Sequence, residues 1–148
     1  MTLADLIARV ESAKGPDREL DRDILIAVRG MRETVPGEYD LDGWTHTTEG
    51  DERVPAFPSP TASLDAARSL VPEGWFWTVS ERATPLGPGT GEGHVHNGRW
   101  HMSGHYRGAD VFGHTPALAL CAAALLVRVA EICAPSQKDA CLLRRDAG

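Results

Sequence analysis

Apolar residues recur at helical spacing over the first thirty positions. Leu3, Leu6, Ile7 and Val10 form one stripe, and Leu20, Ile24, Ala27 and Val28 a second. Thr2 stands where a cap would, with Asp5 three residues on, as in a capping box. Lys14-Gly15 closes the first stripe. Pro16 suits the first turn of the second helix, with Asp17 and Glu19 near its positive end, and Gly30 ends it. The pattern predicts a helical hairpin, with the acid-rich run at 17–23 as its solvated face.

The period lapses over 31–60. Pro36-Gly37, Asp42-Gly43, Glu49-Gly50, Pro55, Pro58 and Pro60 all break regular structure. The segment reads as a long irregular loop, an insertion holding at most a short strand at 44–47. Helical spacing returns with Leu64, Ala67, Leu70 and Val71, capped by Thr61 or Ser63 and stopped by Pro72. Gly74 then permits a sharp corner. Trp75, Trp77 and Val79 alternate with Phe76, Thr78 and Ser80, a strand period. Two tryptophans on one face predict a central core strand at 75–80.

Residues 83–93 are rich in Pro, Gly and Thr and read as an exposed loop. The run GPGTGEG lacks the lysine and following helix that a phosphate cradle needs. Asn97-Gly98 signals a two-residue hairpin turn, which sets His96 against Arg99, Val95 against Trp100 and His94 against His101. A short strand is expected at 109–112. Thr115-Pro116 opens the last helix, over 116–132, apolar nearly all round and rich in alanine for close packing on a sheet. Pro135 closes it, and residues 136–148 read as a loosely held tail.

The 148 residues suffice for one domain, taken as 1–148, with a sizeable core. The net charge of −6, with no basic block, argues against nucleic acid as the main partner. No apolar run reaches membrane-spanning length, and the N-terminus lacks the apolar core of a signal peptide. Cys121, Cys133 and Cys141 are odd in number, and Cys121 and Cys133 sit in helical sequence without metal-ligand spacing, so the three read as reduced thiols.

Three pieces together resemble the phage ABA sandwich domain family: TASLDAARSLVPEGWFW, HTPALALCAAALLVR, and the N-terminal helix pair with GPDRELDRDI. The resemblance implies an α+β fold, a helix–sheet–helix layered sandwich with a small antiparallel sheet. It also implies phage or prophage origin, and hence the cytoplasm of an infected or lysogenic bacterium. It supplies no activity.

The candidate chemistry lies on the histidine hairpin. Alternation puts His94 and His96 on one face, and the Asn97-Gly98 turn brings His101 to the same face. Three imidazoles on neighbouring positions offer three nitrogen ligands and leave a fourth position open, as catalytic zinc sites do. Ser103 and His105 extend the face. No acid is evidently placed to orient one of the histidines, which disfavours a serine hydrolase. Two readings follow. The first is a non-enzymatic accessory protein binding a host or phage protein or a small metabolite, with no resident cofactor, and able to form a homo-oligomer. The second is a metal-binding module or metal-dependent enzyme using His94, His96 and His101, with zinc as its ion.

Overall fold

The structure is a computed structural model, and it describes residues 2–96 and 108–132. The expectations for the Asn97-Gly98 turn, for His101, Ser103 and His105, for Cys133 and Cys141 and for the tail lie outside that range.

The two N-terminal helices are α1, Leu3–Ser12, and α2, Arg18–Arg29. Thr2 and Asp5 form the reciprocal capping box: the Asp5 N–H donates to the Thr2 hydroxyl, and the Thr2 N–H donates to the Asp5 carboxylate at 2.9 Å. Asp17, rather than a first-turn Pro16, starts α2, with its carboxylate accepting from the Leu20 N–H. Gly30 ends it in the left-handed conformation.

The first half of the segment 31–60 is not irregular. It folds into a three-stranded antiparallel meander of β1 (Arg32–Val35), β2 (Glu38–Leu41) and β3 (Trp44–Thr47), and 48–60 follows without a helix or strand of its own. Two of the supposed breakers, Pro36-Gly37 and Asp42-Gly43, are its turns. Leu41 pairs with Trp44 across Asp42-Gly43, and both turn residues have positive φ, the requirement of a type I′ turn. Tyr39 and Leu41 point inward and join Leu25, Met31 and Phe57 in a core of their own. Arg18 ties this unit to α2. Its guanidinium lies 3.9 Å over the Phe57 ring and donates to the carbonyls of Thr48, Phe57 and Pro58 and to the Ser59 hydroxyl.

The acid run is only partly solvated. Asp21 is fully buried, and its carboxylate accepts from the Thr61 N–H at 2.8 Å, the Thr61 hydroxyl at 2.7 Å and Arg18 at 3.2 Å. Thr61 is thereby committed to α2, and Ser63 caps the short helix α3, Leu64–Arg68.

The second sheet is β4 (Phe76–Thr84), β5 (Gly87–His96) and β6 (Gly108–Gly113), antiparallel in that order. Two expectations fail here. Among the described residues the tryptophan strand lies at the edge of the sheet, with Trp77 37% and Phe76 58% exposed. The glycine-rich run is the centre of the sheet, not a loop.

The last helix, α4 (Pro116–Ile132), explains those glycines. Thr115 caps it, accepting from the Leu118 N–H at 3.1 Å. A Cβ at Gly93 would lie 2.6 Å from the backbone of Ala119, one at Gly113 2.5 Å from it, and one at Gly91 2.5 Å from Pro116. Backbone meets backbone along this seam, and only hydrogen fits between. On its other sides α4 packs against α1 and α3. The main core joins Leu6, Ile7 and Val10 of α1, Leu20 and Ile24 of α2, Val95 of β5 and residues 118–127 of α4. Cys121 is buried there, its thiol donating to the Pro60 carbonyl at 3.1 Å, and burial pushes its pKa up. The architecture is α+β, with helices packed on a small antiparallel sheet.

Candidate functional site

Strand β5 sorts its side chains by parity. Gly91, Gly93 and Val95 face α4, so the even positions Glu92, His94 and His96 lie on the outer face. The register sets Thr78 and Asp110 beside His94, and Phe76 and Gly108 beside His96. The expected pairing of His94 with His101 falls on residues outside the described range. Within the described residues, β5 is flanked by β4 on one side and β6 on the other.

His94 and His96 do come together, as alternation requires. Their ring centroids are 4.9 Å apart. Phe76 continues the row, stacked on His96 at 5.5 Å with the ring planes 18° apart. His94 is only 9% exposed. Its Nδ1 meets the Asp110 carboxylate, which reaches over from β6 and is itself largely exposed. Burial, and next the neighbouring His94, hold the His96 pKa below the ordinary histidine value, and Asp110 partly offsets them.

Asp110 is the residue that sequence reasoning missed. It stands sixteen positions from His94, and only the β5–β6 register brings the two together. Its place in a period-two strand just before Thr115-Pro116 was visible, but nothing local said which strand it would join.

A carboxylate bonded to one imidazole nitrogen fixes the tautomer and the ring orientation. The other nitrogen, Nε2, then serves either as a metal ligand or as a proton acceptor. Among the described residues, no group of three or more His, Cys, Asp and Glu side chains is arranged around one metal position. What is assembled is two adjacent imidazoles, one of them oriented by an acid. Also among the described residues, no helix is long and apolar enough to cross a membrane. No family model, curated protein or solved structure matches the chain.

Proposed function

We propose that the protein is a non-enzymatic binding protein whose outer sheet face holds a divalent transition metal ion, such as zinc, between His94 and His96. The observation that carries this is the Asp110 carboxylate on Nδ1 of His94, with the His96 ring 4.9 Å away on the same face. Metal-bound histidines commonly give their second ring nitrogen to a carboxylate, which makes the ligating nitrogen more basic. The depressed proton affinity of His96 adds to this, because a metal then displaces no proton near neutral pH. Proton transfer requires one oriented imidazole and leaves the second, stacked between His94 and Phe76, without a role.

Two protein ligands leave coordination positions on the ion for a small molecule or a partner's side chain. That suits an accessory role, with a host or phage protein as partner. The resemblance to phage proteins supports prophage origin and action in the host cytoplasm. Calorimetric titration of the metal-free protein with zinc at neutral pH tests the reading. Saturable binding to one site is expected, and its loss in the His94→Ala/His96→Ala double variant. Absence of saturable binding to the unaltered protein sinks it.

A further inference from the structure

A second concave feature lies in the helical half of the molecule and shares no residue with the histidine row. It is a cleft of about 400 Å³, at the lower end of the volumes that small-molecule pockets span. Leu3 at the start of α1, with Ala27 and Val28 near the end of α2, gives it an aliphatic wall. Trp75 gives it an aromatic one. The corner before Trp75 sets that ring in place: the Trp75 N–H donates to the Pro72 carbonyl at 3.1 Å, and Gly74 has φ +81°. A type II turn needs positive φ at that position. The side chain is half-buried, and it packs on the main core as well as lining the cleft.

Two ionisable side chains border the cleft, and the charge of neither is what a ligand would seek. Arg128 of α4 is engaged by the protein itself, its Nε and Nη2 both donating to the Leu70 carbonyl at 2.9 and 2.7 Å. It serves as a wall and ties α4 to the end of α3. Glu73 is exposed, where water and salt screen its charge. A charged group drawn in between the indole and the aliphatic side chains would shed its hydration for no partner, and burying an unpaired charge is costly. An uncharged ring meets no such cost. Its walls are also in place beforehand, held by the turn at Gly74 and by the bonds to Leu70, which spares it the entropy of ordering them.

We infer that this cleft binds an uncharged planar aromatic compound of one or two fused rings. The ring packs on the indole of Trp75, gaining from the aromatic pair beyond the area it buries, and Leu3 and Val28 take the rest of its apolar surface.

Three probes sharing one ring system test this: indole, indole-3-acetate and tryptamine, which are neutral, anionic and cationic in turn. Each is titrated into the full-length, metal-free protein and followed by NMR. Indole is expected to saturate a single site and to move the signals of the Trp75 indole N–H and the Val28 methyls. The charged probes are expected to bind no more tightly than indole, because a charge that found a partner in the cleft would gain about tenfold or more. Ala27→Phe is the blocking variant. Ala27 is exposed on α2, and a phenyl there fills the cleft without entering the core. It is expected to abolish indole binding while the melting temperature holds. Should the variant lose stability instead, the location of the shifts in the unaltered protein decides. The inference is overturned if indole does not saturate, if its saturable shifts fall away from Trp75, if either charged probe binds about tenfold tighter, or if folded Ala27→Phe binds indole with undiminished affinity. None of these outcomes depends on zinc binding at His94 and His96.

Discussion

The Asp110 carboxylate meets Nδ1 of His94 across the β5–β6 pair, and the partner of His94 on the opposite strand is Thr78. The imidazole is thus oriented by an acid on one of its two neighbouring strands. Asp110→Asn keeps a side chain of the same shape but removes the charge. If the row binds zinc, calorimetry should show affinity falling by about 10–100-fold, the usual effect of losing a ligand's supporting carboxylate. An unchanged affinity would separate Asp110 from metal binding.

His96 gives a pH signature in the metal-free protein. Burial and the adjacent His94 lower its pKa from 6.5, and Asp110 raises it. The depressed value means that folding favours the neutral ring. Its contribution to stability is present above the ordinary histidine value and is lost as pH falls through that value toward the depressed one. Titration followed by NMR should place His96 below 6.5. His94→Ala should move it up and Asp110→Asn further down. A shift of the opposite sign in either variant contradicts the charge arrangement.

Gly93→Ala tests the seam between β5 and α4. Its Cβ would sit 2.6 Å from the Ala119 backbone, which cannot rotate away as a side chain could. Overpacking of this kind costs about 1–3 kcal/mol, read as a lower denaturation midpoint. Gly15→Ala is the control, with nothing within 4 Å of the added carbon and no positive φ. It should cause no loss.

Truncations in α4 and in β4 should differ sharply. Leu125 is fully buried in α4, and Leu125→Ala should cost about 2–5 kcal/mol in chemical denaturation. Trp77, on an edge strand and 37% exposed, should cost less despite its greater size. The reverse order would place the tryptophan strand at the centre after all.

The helices were legible because their signals are local. Thr2 with Asp5 and Thr115 with Pro116 act within one turn, and each cap forms as its sequence indicates. What stayed hidden depends on distant partners. Asp21 looked like one more solvated acid until Thr61, forty residues on, supplied two donors. Asp42-Gly43 was read as a breaker although it also fits a tight hairpin turn, because the short strands beside it carry few apolar residues. The glycines of β5 mimic a loop, since glycine is selected there by the approach of α4, and that cause is absent from the local pattern. For the same reason His94 and His96 were placed on one face correctly, while the acid serving them was not found.

The seam has a further consequence for how this chain can vary. Glycine cannot be made smaller, so any volume gained at Ala119 or Leu120 has no compensating change available at Gly93 or Gly113. Alternate residues of β5 therefore live under opposite rules. At Gly91 and Gly93 the approach of α4 leaves no room for a side chain, so any larger residue there must push the helix away. The even ones, on the face that bears His94 and His96, meet no helix backbone and can carry side chains. One strand thus serves as a fixed chassis on its inner side and carries functional side chains on its outer side, at alternate residues.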